Sequence, residues 1–176
     1  YAAASAPEKV MRTARASAPL IARAVPEHEA LSQRADAFHL WHRDGYLRLF
    51  RTDPQLEAAA RADRVVEERF DIPFAVWDRA KLGAAEPHLT GGLAGAVHMP
   101  TPVRISDPGD LGALYADLFV REGGAVMTGD AMGLSGNGPF TLVADEGAVE
   151  AREAVVCLGP WAGDLLGRLG QRLPLR

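Results

Sequence analysis

Asp107-Pro108 constrains this chain more than any other pair of residues. A short acidic side chain caps the free N–H groups that open a helix, and proline at the first helical position gives up an N–H that would be unpaired anyway. Leu111, Leu114, Tyr115, Leu118 and Phe119 then recur at helical spacing on one face, until Gly123-Gly124 ends the run. Thr52-Asp53-Pro54 repeats the device and predicts a helix from Pro54 to about Arg69, burying Leu56, Ala59, Val66 and Phe70. Short apolar segments between glycines and prolines lie around both helices. Together they predict an α+β fold, a mainly antiparallel sheet with helices packed on it.

The strands follow from period and punctuation. Phe38, Leu40 and His42 alternate with His39 and Trp41, then Arg43-Asp44-Gly45 intervenes, then Tyr46, Leu47, Leu49 and Phe50 continue. Asp-Gly between two β-prone runs predicts a hairpin. Ile72 to Trp77 is a short strand, Asp78 caps a brief helix ending near Gly83, and Leu93 to Met99 is a strand after the Gly91-Gly92 turn. The expected sheet contains Phe38 to His42, Tyr46 to Phe50, Phe74 to Trp77 and Leu93 to Met99, with the Pro54 and Pro108 helices on one side. Upstream, Glu8 to Val25 is helix-prone, with Val10, Ala14, Ala18 and Ile21 on one face. Pro19 is expected to break or kink that run, and Pro26 to open a second short helix through Ala35. Downstream, Ala125 to Thr128, Ala131 to Leu134, Phe140 to Val143 and Ala148 to Glu150 are short β segments parted by turns. Ala154 to Leu158 is a buried apolar strand that Gly159-Pro160 turns into a helix carrying Trp161, Leu165, Leu166 and Leu169.

Composition removes several functions. Nineteen basic against 23 acidic residues in 176 give a net charge of −4, which excludes a strongly basic nucleic-acid binder. One cysteine, Cys157, excludes a disulfide framework within the chain and any multi-cysteine metal site; inside its apolar run it is expected to be a buried, inert thiol. No apolar run approaches the ~20 residues that span a bilayer. His39 and His42 flank Trp41 on opposite faces of a strand, a poor chelating geometry, and no metal site is expected. His98 either faces a cleft or is an ordinary satisfied histidine. No carboxylate pair stands out as an acid–base couple. The glycines from Gly133 to Gly138 lack the order and the following helix of a phosphate loop, so they are turn chemistry, and the Gly91 to Gly95 stretch fails the same way. Gly159, between an apolar strand and a helix start, is open to two readings: a close backbone approach to a ligand, or an ordinary βα turn.

One ordered series of motifs goes further. Asp107-Pro108, Gly123-Gly124, Gly129-Asp130-Ala131, two hairpin turns, Val155-Val156-Cys157-Leu158-Gly159-Pro160-Trp161-Ala162, Leu169-Gly170 and Leu173-Pro174 follow one another from Ser106 onward. The stretch resembles the amine-oxidase-like FAD flavoproteins that include D-amino acid dehydrogenases, glycine oxidase and sarcosine oxidase, with the D-amino acid dehydrogenases as the nearest branch. Glu86-Pro87 and the Leu93 to Met99 strand resemble what precedes that helix in the family. The family's opening strand with its glycine fingerprint is absent, and so is a C-terminal third carrying the arginine for the substrate carboxylate. A start without Met and a stop at Leu173-Pro174-Leu175-Arg176 agree with an internal fragment.

The resemblance implies an organisation and a set of roles. Residues 1–105 would be part of a substrate domain, and 106–176 a helix, hairpins and βα unit belonging partly to an FAD-binding domain. Ala131 would lie near the adenine end of FAD, with Cys157, Gly159 and Trp161 lining its path. Trp41, Tyr46 and His98, on the sheet covering the isoalloxazine, would meet the substrate. No catalytic base is identified. The parent would oxidise the C–N bond of an amino acid, its small-molecule substrate, with FAD as cofactor. It would have no nucleic-acid partner and no transmembrane segment, and would sit in the cytoplasm or peripherally at the inner membrane. The fragment alone would need the missing parts of its own chain, be inactive, and not hold FAD tightly. The alternative is a non-catalytic α+β module that docks to a partner chain.

Overall fold

The computed structural model describes residues 6–172, and it divides the chain into two compact units, Tyr1–Leu118 and Phe119–Arg176. The Leu173-Pro174 motif and the chain ends lie outside the described residues. The architecture is mixed helix and antiparallel sheet, as expected.

In the first unit, β2 (Tyr46–Phe50), β3 (Ala75–Asp78) and β4 (Gly95–Met99) form an antiparallel sheet in the order β2-β4-β3. Gly95, Ala96 and Val97 in the central strand are all buried. A strand covered on both faces reads as a continuous small-apolar run rather than an alternation. Helix α2 (Asp53–Phe70) lies on one face, its Leu56 packed with Val97 and Met99 and ringed by Phe50, Ala59, Ile72 and Phe74. Full burial of a leucine or valine side chain contributes roughly 1.5–3 kcal/mol each. Ala59, Val66 and Phe70 are only half-buried; Asp63 is buried instead, paired with Arg48 of β2. Helix α3 (Arg79–Ala85) starts where expected, because the Asp78 carboxylate accepts the Lys81 N–H at 2.8 Å.

Helix α1 (Pro7–Arg34) corrects one expectation: it runs unbroken through Pro19 and Pro26. Each proline leaves one carbonyl, of Arg15 or Ala22, without its helical donor. Both prolines and both of those residues are exposed, so water replaces the lost bond.

The hairpin at Asp44-Gly45 is a second correction. Phe38–Leu40 forms a 3₁₀ turn, with the Leu40 N–H on the Ala37 carbonyl, and Phe38 to His42 is not part of the three-stranded sheet. The Leu40 carbonyl accepts the Ser106 N–H, and this draws β1 (Trp41–His42) into a separate ladder with β5 (Arg104–Ile105). Asp44-Gly45 is therefore a strap between two sheets.

Helix α4 (Pro108–Arg121) begins with Asp107 accepting the Asp110 N–H at 3.0 Å. Its apolar face meets Ala35, Ala37 and Leu40, not the three-stranded sheet, so the two proline-started helices do not share one side. The helix that was expected to open the second part, after residue 105, thus packs within the first unit. Phe119 stays exposed.

In the second unit, β6 (Ser135–Gly136), β7 (Phe140–Ala144) and β8 (Gly147–Ala151) form an antiparallel meander. Ala125 to Thr128 is not a strand; the chain there touches β7 only through the Gly129–Ala144 bridge and the Thr128 carbonyl. Ala131–Gly133 is a 3₁₀ turn because the Asp130 carboxylate caps the Met132 N–H. Ala154 to Leu158 also forms no strand, and Cys157 is exposed rather than buried. The described residues offer that segment no neighbouring strand, and an extended run without a ladder is not a strand whatever its propensity. A 3₁₀ turn at Gly159–Trp161 leads into α5 (Ala162–Arg168), anchored by Leu165 at 1% exposure.

Candidate functional site

Register decides which side chains share a face. Tyr46 stands opposite Met99, and Leu47 and Ala75 stand opposite His98. Directly opposed residues of antiparallel strands point the same way. Tyr46, Arg48, Phe50, Val97 and Met99 therefore belong to the face under α2, and Leu47, Leu49, Ala75, Trp77, Ala96 and His98 to the other. The second face is apolar apart from one imidazole, with Ala96 fully buried and His98 half-exposed.

That imidazole is held from two sides. His98 Nε2 lies 2.9 Å from the main-chain carbonyl oxygen of Asp44, and the Trp77 ring packs against it at 4.7 Å between centroids. Lys81 of α3 places its ammonium 4.8 Å from the Trp77 ring centroid. The strap carrying Asp44 is fixed by Gly45, whose φ of +68° suits glycine and whose hydrogen faces the Met99 carbonyl where any Cβ would overlap it. The Asp44 carboxyl accepts its own backbone N–H, and this bond, helped by Arg104 at 3.5 Å, holds it below the usual carboxylate range.

Of the three side chains expected to meet substrate, none share a surface. His98 is on the face of the sheet turned away from α2, and Tyr46 is on the face under α2. Trp41, on the β1–β5 ladder, donates its indole N–H to Ser32 Oγ at 2.9 Å and stacks on Phe38. Ser32 is fully buried and also meets the Tyr115 hydroxyl at 2.9 Å, which in turn donates to the His28 carbonyl. This network joins α1, β1 and α4, and it gives Trp41 a structural occupation. Beside it lies a cavity of about 160 Å³ lined by His28, Trp41, Val103, Ile105 and Leu111 among others.

In the second unit, Ala131 sits on its 3₁₀ turn, and Cys157, Gly159 and Trp161 follow one another into α5. Gly159 has φ +56°, and a Cβ built there meets nothing within 4 Å. Trp161 is 70% exposed and Cys157 is exposed. These three residues form an open, mostly apolar surface with no basic side chain among them. Among the described residues, no group of histidine, cysteine and carboxylate side chains is placed to hold a metal ion, and no helix is long and apolar enough to cross a membrane.

A family model described as "DAO: FAD dependent oxidoreductase" matches residues 2–176. The chain belongs to this family of FAD-dependent oxidoreductases. Solved structures of like fold include glycine oxidase from Geobacillus kaustophilus, at a TM-score of 0.64 and 22% identity, covering 94% of this chain and 44% of that one. L-amino acid deaminase from Proteus vulgaris superposes at 0.65 with 14% identity, covering 84% of this chain and 36% of that one. L-proline dehydrogenase from P. horikoshii does so at 0.61 with 16% identity, covering 82% and 40%. The chain thus spans less than half the length of these proteins, and its cofactor is FAD by family membership. Sequence reasoning missed Trp77, Lys81 and Asp44. The signal for Trp77 was its strand position, but only register puts it beside His98.

Proposed function

We propose that this chain is part of an FAD-dependent oxidoreductase that oxidises the C–N bond of an amino acid, with D-amino acids as substrates and a dehydrogenase as the activity. The observation that carries the reading is the face of the β2-β4-β3 sheet turned away from α2. It is apolar, it bears Trp77 and His98, and it stands opposite the face that α2 covers. Such a face suits a flat ring system and an aliphatic amino acid, and it excludes water from both. In this reading the sheet belongs to the substrate domain, and the turn from Cys157 to Trp161, with Ala131, belongs to the FAD-binding part. FAD, when bound, supplies the oxidising chemistry by accepting hydride from the α-carbon. The protein's own residues bind, orient and shield.

The family's remaining segments complete the cofactor site, so the isolated chain is expected to purify colourless and inactive. The reading assigns the protein to the cytoplasm, at the inner-membrane surface if its electron acceptor is a membrane quinone. The test is anaerobic mixing of the full-length flavoprotein with D-alanine, L-alanine, glycine and L-proline in turn. Bleaching of the flavin by the D-amino acid at least about tenfold faster than by the others is the expected result. Equal or faster bleaching by glycine or an L-amino acid would replace the substrate assignment, and no bleaching by any would overturn the function. Gly159→Asn tests the cofactor wall, because asparagine tolerates the left-handed backbone while filling the open space. Lower flavin occupancy in folded protein is expected.

A further inference from the structure

The hydrogen bond at His98 fixes more than its position. A main-chain carbonyl only accepts, so at 2.9 Å the Nε2 atom must carry the proton. In the neutral ring the other nitrogen, Nδ1, is then the acceptor. Among the described residues Nδ1 has no hydrogen-bond partner, and it is not among the enclosed polar atoms. The ring cannot easily turn over to exchange the two nitrogens. Trp77 packs against it, and the strap bearing Asp44 is pinned by the close approach of Gly45 to the Met99 carbonyl. The result is a half-exposed, tautomer-fixed base on an apolar surface that otherwise offers no acceptor side chain.

We propose that His98 is a catalytic residue: Nδ1 takes a proton from the ammonium group of the amino acid. The proposal rests on the sheet face turned away from α2 being the substrate face. An amino acid in neutral water carries its nitrogen as –NH₃⁺, with no lone pair to form a C=N bond as hydride leaves the α-carbon. In the proposed step one N–H bond of the ammonium breaks, its electron pair stays on nitrogen, and the proton forms a bond to Nδ1. The ring becomes imidazolium, and its Nε2–H still donates to the Asp44 carbonyl, which stabilises the charge. Charge is conserved, and no further reactant is needed. Asp44 acts through His98 as a positioning residue, by its main chain.

Two measurements test this. The first uses the chain alone: the side-chain nitrogen shifts of His98 should show the neutral ring protonated at Nε2. A ring protonated at Nδ1 would overturn the proposal without touching the proposed function. The second uses the full-length flavoprotein and flavin reduction by its amino acid. His98→Ala should slow reduction by about 10²-fold, in the range of general acid–base catalysis, with a smaller change in KM. Added imidazole, which fits the space left beside Trp77, should restore reduction in proportion to its concentration. Reduction within about threefold of the parent, or a loss that imidazole leaves unrepaired, would overturn the role of His98. If the unaltered flavoprotein is not reduced by any amino acid, the functional reading fails instead, and the two failures are thereby told apart.

Discussion

Two neighbouring residues in the strap set much of the local chemistry. Gly45 combines a positive φ with a hydrogen against the Met99 carbonyl, so Gly45→Ala meets both a left-handed backbone penalty and a backbone overlap. A loss of at least about 2 kcal/mol in the first unit is expected by denaturant titration. Asp44 gives a pH signature. Its carboxyl is held low by its own backbone N–H first; desolvation opposes this, and Arg104 and then His42 add to the lowering. A carboxyl depressed on folding contributes stability that is present above its unfolded pKa and is lost as pH falls through the folded one. The strap is therefore expected to loosen only in acid, below the usual carboxylate range. Carboxyl ¹³C titration of Arg104→Met should show the Asp44 midpoint rise but stop short of the ordinary value, because the backbone bond survives. An unchanged midpoint would mean that Arg104 does not act on it.

At the level of elements, the capped helix starts and three of the four strands expected in the first sheet were legible in the sequence. The β1–β5 ladder and the unbroken α1 were not. Asp78 and Asp107 cap their helices as their positions imply, because a cap is decided by neighbours three residues away. The Asp44-Gly45 turn had every local mark of a hairpin and is a strap between sheets, because the Ser106 N–H, 66 residues beyond Leu40, claims the Leu40 carbonyl. For the candidate site the limit was the same. His98 could be named from its strand, yet Trp77 and Asp44 meet it only through long-range register. Asp63 was equally invisible: a carboxylate on a helix reads as solvated until Arg48 of β2 is found against it. Removing it leaves a half-buried guanidinium without its partner. Asp63→Ala should cost about 1–3 kcal/mol, and Arg48→Met in the same protein should recover part of that in a double-mutant cycle. Additive losses would show that the two residues do not act as a pair.

The molecule as a whole joins a well-packed first unit to a second one whose apolar residues are largely uncovered. Val126, Val143, Val155 and Trp161 all stand in the open, Val155 at 88% exposure. Most of the five residues from Ala154 to Leu158 are exposed, two of them are valines, and no strand among the described residues pairs with them. Unpaired N–H and C=O groups on an apolar, uncharged run are a template for the same run in another molecule. Shelf life in solution should accordingly be set by concentration more than by temperature. Light scattering of the isolated polypeptide should rise steeply with protein concentration at constant far-ultraviolet circular dichroism, and Val155→Lys, which puts a charge into the template, should suppress it. Scattering that is unaffected by the lysine would move the sticky surface elsewhere, to the exposed Trp161 first. The purification of this polypeptide is then a problem in colloid chemistry before it is one in enzymology.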